Sequence, residues 1–383
     1  MKVAIVRQRY NPYGGAERIV ARVLPALERS GAQVTLISRG DKGWGARRVL
    51  RVDPFHIGNV WRDWSFAREA RKAWSREAFD IVQSHERIPG CDVYRAGDGV
   101  HRRWLELRRA SASVVERLGI VLNPYHAYVC EAEKRMFEHP RLRAVICNSK
   151  MVRDDIRRRF RVDPEKLHVI YNGVDIEHFH PRERERLRQR ARAELGIGTE
   201  DSVFVYVGSG FARKGLRSAI DALARAADPR FQLLVAGRDR DVAKFEHRAR
   251  AAGVAARVHF LGGREDMRPP YAAADCLLLP SLYDPFGTAV LEAMAMGLPV
   301  IVSARCGAAE LITSGANGWV CDPSDIAGIA QLMRAAETAI RRGGIDATAR
   351  ATAERFSVDA MAAQLLSLYD LLSKRPAASI GDN

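Results

Sequence analysis

Two segments of the chain concentrate cations and carboxylates in turn-rich stretches beside apolar runs. The first is Gly208-Ser209-Gly210-Phe211-Ala212-Arg213-Lys214-Gly215, a glycine-rich stretch between an apolar run and an amphipathic one. Glycines such as Gly208 let a backbone come close to a ligand. Arg213 can fork two phosphate oxygens and Lys214 adds a point charge, so the pair suits a diphosphate without a metal. The spacing matches neither standard nucleotide fingerprint. No Gly-Lys-Ser/Thr follows, and Arg213 stands where the third glycine of G-x-G-x-x-G belongs. The alternative reading is an exposed basic loop.

The second segment runs from Asp284 to Pro299. Pro285 and Gly287 keep Asp284 in the loop ahead of a helix. Glu292 falls inside that helix among Val290, Leu291, Ala293 and Met294. A carboxylate in apolar surroundings needs hydrogen-bond donors. Ribose and hexose hydroxyls would serve, and so would a neighbouring loop. Paired carboxylates also occur in glycosidases, but the place of Glu292 beside a phosphate-binding set disfavours that reading. Two weaker signals accompany these. Gly14-Gly15 lies between the first strand and its helix, where a helix N-terminus offers N–H groups to phosphate; a plain tight turn is the alternative. Gly262-Gly263-Arg264-Glu265-Asp266 follows a strand, and Arg264 reads either as closing on a phosphate or base, or as a surface arginine.

The elements that position these residues alternate in type. Val3–Val6 reads as a buried strand, Glu17–Ser30 as an amphipathic helix, and Gln33–Ser38 as the next strand. Such βαβ units build parallel sheets. Asp80–Ser84, Ala144–Asn148 and Leu167–Ile170 extend this half. A second series follows: strand Val203–Val207, helix Leu216–Ala227, strands Phe231–Ala236, Arg257–Leu261 and Cys276–Leu279, helix Gly287–Met296 and strand Pro299–Ser303. The turn-forming Tyr171-Asn172-Gly173-Val174-Asp175 marks the junction. The charged Arg182–Glu194 segment predicts a solvated helix. The expected fold class is α/β, with two doubly wound domains.

The chain's 383 residues suit two domains. Sixty-one Lys and Arg against 46 Asp and Glu give a net charge of +15, which calls for an anionic partner. Hydrophobic residues at 47% exclude a disordered or collagen-like chain. Six cysteines without a C-x-x-C pair predict a reducing, cytoplasmic setting. The first apolar run, broken by Arg7 and Arg9, is too short for a signal peptide. No stretch of 18 apolar residues is present to span a membrane.

Taken together, these segments resemble the retaining glycosyltransferases of family 4, most closely the lipopolysaccharide core glucosyltransferase I family. The resemblance runs from Met1 to about Tyr369. It is carried by Tyr13-Gly14-Gly15-Ala16-Glu17-Arg18, Asp92-Val93-Tyr94-Arg95-Ala96-Gly97-Asp98, Arg213-Lys214-Gly215, Gly263-Arg264 and the Asp284–Pro299 run. It implies a GT-B fold, two Rossmann-like domains facing across a cleft. Residues 1–171 would bind the acceptor and 172–354 the nucleotide sugar. Residues 355–373 would form a helix packing back on the first domain, and 374–383 a flexible tail. By resemblance, Gly14 and Gly15 close over the diphosphate, and Arg213 and Lys214 hold it and stabilise it as it leaves. Arg264 lies beside the nucleotide, Glu292 binds the ribose, Asp284 contacts the donor sugar, and Asp98 stands near the acceptor. Asp284 departs from the family pattern, where a Glu is usual. The implied reaction is metal-independent, front-face transfer of a hexose, glucose foremost, from a UDP-sugar to heptose of the lipopolysaccharide inner core. A nucleotide-sugar epimerase of the same fold is an alternative. A nucleic-acid-binding protein is suggested by charge alone.

Residues 101–161 carry fifteen Lys and Arg against seven Asp and Glu. Trp104, Tyr125 and Tyr128 are interleaved, and Leu118–Leu122 is apolar. One reading is a solvated basic surface with a few core aromatics. The other is peripheral docking on an anionic bilayer, the cytoplasmic face of the inner membrane, which suits a lipid-linked acceptor.

Overall fold

Strands that are buried on both faces read as unbroken apolar runs, and that is how the sheets of this chain are written. The computed structural model describes residues 1–9, 15–41, 43–44, 47–110 and 112–374. Gly14 and the segment 375–383 lie outside the described residues. Two compact units are present, Met1–Tyr171 joined by the chain from Asp359, and Asn172–Val358.

The first unit holds a seven-stranded sheet: β1 (Lys2–Val6), β2 (Gln33–Ser38), β3 (Arg48–Arg51), β4 (Ile81–Ser84), β5 (Val93–Arg95), β6 (Ala144–Cys147) and β7 (Leu167–Val169). Its order is β3-β2-β1-β4-β5-β6-β7, with every pair parallel. The helix Val358–Lys374 packs in this unit, and Tyr369 Oη donates to Gln83 Oε1 at 2.6 Å.

The second unit holds six strands: β8 (Ser202–Val207), β9 (Phe231–Ala236), β10 (Val258–Gly262), β11 (Cys276–Leu279), β12 (Val300–Ser303) and β13 (Gly318–Cys321). Their order is β10-β9-β8-β11-β12-β13, again all parallel. In each sheet the chain winds one way and then reverses, around β1 in the first and β8 in the second. Ligands of doubly wound sheets bind beyond the strand C-termini at that reversal.

The charged helix, Pro181–Ala193, departs from the expectation of a solvated element. Ala191 and Arg192 are buried, and three of its arginines turn inward onto Asp275. The helix Gly58–Ser75 had no periodic signature in the sequence. Phe66, Ala70 and Trp74 are buried on one side while Trp61 and Trp64 are exposed on the other, so large aromatics on both faces mask the 3.6-residue period.

Candidate active site

The glycine-rich loop leaves β8 at the reversal point of its sheet, and the loop Pro280–Gly287 leaves β11 beside it. Gly215 has φ +76°, and a Cβ there would run into the carbonyl of Pro280. That close approach seats the end of the first loop on the second. Gly208 has φ +149°, and its missing Cβ makes room for the stem of Lys214. Lys214 thereby lies back across the loop, with Nζ 3.1 Å from Asp284 Oδ2. Arg213 Nη1 donates to Tyr283 O at 3.1 Å, and Leu282 N donates to Arg213 O at 2.9 Å. Both cations picked out from the sequence therefore address the β11 loop.

Asp284 is fixed from behind. Its N–H donates to Arg305 O at 3.0 Å and its carbonyl accepts from Gly307 N at 2.9 Å. Burial alone would push this carboxyl up. Lys214, Arg213 and the Phe286 N–H outweigh burial and hold it below its ordinary value. An ionised Asp284 and a charged Lys214 thus meet at the crest of the sheet.

Glu292 lies in the helix Thr288–Ala295 and is fully buried. Tyr271 Oη donates to Glu292 Oε2 at 3.0 Å, a donor with no sequence signal because it belongs to another helix, Arg268–Ala273. Arg264 is exposed, with Nε donating to Leu261 O at 3.0 Å. Arg213, Lys214, Asp284, Glu292, Gly208 and Arg264 all belong to the second unit, and Gly15 and Asp98 to the first.

The corresponding edge of the first sheet carries its own cluster. Arg7, directly after β1, places Nη1 3.5 Å from Glu86 Oε1 and 3.6 Å from Asp98 Oδ2. The Asp98 side chain is about half exposed, at 48%. Gln8 N donates to Glu86 Oε1 at 2.9 Å, and Gln8 Nε2 donates to Asp63 Oδ1 at 3.2 Å. Neither Arg7 nor Glu86 belongs to a motif in the sequence, although Arg7 directly follows β1 and Glu86 lies two residues beyond β4. Gly15 begins the helix Gly15–Arg29 in the same unit.

A model of the group 1 glycosyl transferases matches residues 188–340, and one of Glycosyltransferase Family 4 matches residues 13–178. Each model thus falls on one of the two doubly wound regions. A solved structure of WaaG, described as a glycosyltransferase of lipopolysaccharide biosynthesis, superposes with a TM-score of 0.82. It is 25% identical and covers 96% of this chain and 99% of its own. The chain is a family 4 glycosyltransferase of the GT-B fold. The lipopolysaccharide glucosyltransferase WaaG of Escherichia coli K12 is 27% identical over 327 residues, covering 84% of this chain and 85% of that protein. A probable transglycosylase of Burkholderia thailandensis is 28% identical over 364 residues and covers 93% of each. An Anabaena protein solved with UDP-glucose shares the fold, with a TM-score of 0.75 at 22% identity and coverage of 97% and 100%.

The basic segment of this glycosyltransferase folds mainly into helices, among them His101–Ala110, Val114–Leu122 and Pro124–Phe137. The expected aromatic anchors are only half exposed, and Tyr125 Oη donates to Asp63 Oδ2 at 3.0 Å. Exposed apolar surface comes from Leu118, Val121 and Leu122 of the expected apolar run, extended by Val114 and Val115 on the same short helix, the last two about four-fifths exposed. Ser113 and Glu116 form a reciprocal capping box at its start, which supports a helix with little buried surface. Among the described residues no helix is long and apolar enough to cross a membrane.

Proposed function

We propose that this glycosyltransferase is a retaining, metal-independent enzyme. It would move a hexose, glucose foremost, from a UDP-sugar to a lipid-linked glycan, the heptose region of the lipopolysaccharide inner core. The observation that carries the reading is the pair of cations, Arg213 and Lys214, aimed across the reversal point of the second sheet at the Asp284 loop. The likeness to the Escherichia coli glucosyltransferase supports the acceptor class.

In this reading the bond between the sugar C1 and the diphosphate oxygen breaks as negative charge gathers on the diphosphate. Preorganised cations are worth most where charge develops, so Arg213 and Lys214 stabilise the leaving group. The acceptor oxygen attacks from the same face, and its proton passes to the departing phosphate. Asp284 receives donor-sugar hydroxyls with the carboxylate that also orients Lys214. Glu292, braced by Tyr271, serves the ribose. Asp98, held by Arg7 in the first unit, receives the acceptor hydroxyl.

The deciding assay follows UDP release from UDP-glucose with and without inner-core lipopolysaccharide. Acceptor-dependent glucose incorporation is expected. Release from a different donor only would replace glucose, and conversion of free donor without transfer would favour an epimerase.

Docking on the cytoplasmic face of an anionic bilayer forms part of the proposal. Arg108, Arg109 and Arg117 accompany the exposed apolar face of Val114–Leu122, and basic residues near an anionic surface contribute about 1 kcal/mol each. A Val115→Asp, Leu118→Asp variant is expected to lose at least about tenfold in affinity for phosphatidylglycerol vesicles. Its Tm should stay within about 1 °C of the parent, because both side chains are already exposed. Unchanged cosedimentation would refute the docking role of this helix.

A further inference from the structure

We infer that Arg238 reads the base of the nucleotide donor and selects bases that present carbonyl oxygens, uracil or guanine, over adenine. The inference rests on the proposed nucleotide-sugar reading and assigns a residue to it.

Arg238 opens the loop after β9, and that loop is laced to its neighbours on both sides. Arg238 N donates to Ser209 Oγ at 3.3 Å, and Asp239 Oδ2 accepts from Phe211 N at 2.6 Å, so the glycine-rich loop holds it from one side. Gly237 N donates to Gly262 O at 2.9 Å, tying it to the end of β10 on the other. The Arg238 side chain runs toward β10 and lies over Gly263. A Cβ on Gly263 would collide with Arg238, with Cγ at 2.8 Å and Cδ at 2.9 Å. The absent Cβ gives the flexible arginine of another loop room to lie across this glycine. Arg238 itself is exposed.

The cations consequently fall into two groups along one edge of the sheet. Arg213 and Lys214 address the boundary of β8 and β11, while Arg238 and Arg264 stand at the ends of β9 and β10. Two strand spacings separate the boundaries, about 10 Å. A nucleoside bridges that span when its diphosphate sits on the first group. Arg238 enters this span over Gly263, and Arg264, whose Nε donates to Leu261 O, stands beside it.

A guanidinium carries donors and no acceptor. Uracil offers two ring carbonyls to it and guanine offers one. Adenine offers an amino group, which is itself a donor, and ring nitrogens.

The test is calorimetric binding of UDP and of ADP, without acceptor, to the full chain and to Arg238→Ala, Arg238→Gln and Lys214→Ala. The parent is expected to prefer UDP. Arg238→Ala should lose about tenfold for UDP and little for ADP, the loss of one charge-assisted contact, with Arg238→Gln falling between. Lys214→Ala should weaken both nucleotides alike. An Arg238→Ala protein that keeps the parental UDP-to-ADP ratio overturns the inference, as does a parent that does not discriminate. If the Lys214 variant binds both nucleotides at full strength, the diphosphate assignment falls separately, whatever Arg238 does.

Discussion

Lys214→Ala is expected to lower kcat/KM for sugar transfer by roughly two to three powers of ten, with most of the loss in kcat. Charge on the diphosphate is greater in the transition state than in the bound donor, so its stabiliser acts mainly on the chemical step. Lys214 is already positioned to receive that charge, because its stem crosses Gly208 and its ammonium lies 3.1 Å from Asp284. The same substitution leaves the buried Asp284 with one cation fewer. Burial then gains weight over the remaining Arg213 and Phe286 contributions, and the carboxyl titrates higher than in the parent. Stability should fall as well, since an uncompensated buried charge is costly.

These two losses are separable. Lys214→Ala combined with Asp284→Asn removes both charges, so Tm is expected to recover toward the parent, while turnover stays low because Lys214 and the sugar-binding carboxylate of Asp284 are both gone. If turnover returned with Tm, Lys214 would be a structural residue and the leaving-group role would be lost. The sign of the pH dependence follows from the depressed Asp284 carboxyl. The depressed Asp284 carboxyl contributes stability that is present above its ordinary 3.8 and is lost as pH falls through the lower folded value. Tm measurements between about pH 5 and 8 should therefore show no titration from Asp284.

Features contained within one stretch of chain were readable in advance, and features made by juxtaposition were not. The alternation of apolar and amphipathic runs gave the parallel sheets, because fully buried strands such as Ser202–Val207 are apolar throughout. The short β5 and the arginine-flanked edge strand β3 carry too few apolar residues to show that signature. Arg213, Lys214, Asp284 and Glu292 sit in motifs local to the chain. Tyr271 and Arg238 act on residues 21 and 25 positions away through separate loops or helices, and Arg7 reaches Asp98 across the first sheet. Only the strand order brings such residues together. The aromatic content of residues 101–161 misdirected attention to Trp104, Tyr125 and Tyr128. Their rings are partly covered, while the exposed face comes from the apolar Leu118–Leu122 run noted in the sequence, extended by Val114 and Val115.

The charged helix Pro181–Ala193 shows the same limit with the larger energetic consequence. Three of its six arginines, 184, 188 and 192, are four residues apart, so they share one face, and charge alone places that face in water. The structure turns it onto Asp275, at the entry to β11. Arg192 Nη2 lies 2.7 Å from Asp275 Oδ2, Arg188 Nη2 meets Oδ1, and Arg184 Nη2 lies 3.8 Å from Oδ1. Asp275 Oδ2 also accepts from Val203 N at 2.8 Å, which fastens the start of β8 to the same carboxylate. Burial pushes the Arg184 guanidinium down and Arg188 adds to that, while Asp275 opposes both. One carboxylate therefore neutralises a cluster with excess positive charge. Asp275→Ala is expected to cost about 3–5 kcal/mol, the penalty for stranding buried charge. For a unit of this size that lowers Tm by about 10 °C or more. Added salt should recover little of it, because a buried cluster is poorly screened. Arg184→Met distinguishes a stranded charge from a lost packing contact. In the parent it should be neutral or slightly stabilising, and combined with Asp275→Ala it should restore part of the lost Tm by removing one of the unmatched cations. If Asp275→Ala melts within about 2 °C of the parent, the cluster is a hydrated surface feature after all, and the anchoring of β8 must be sought in its apolar contacts.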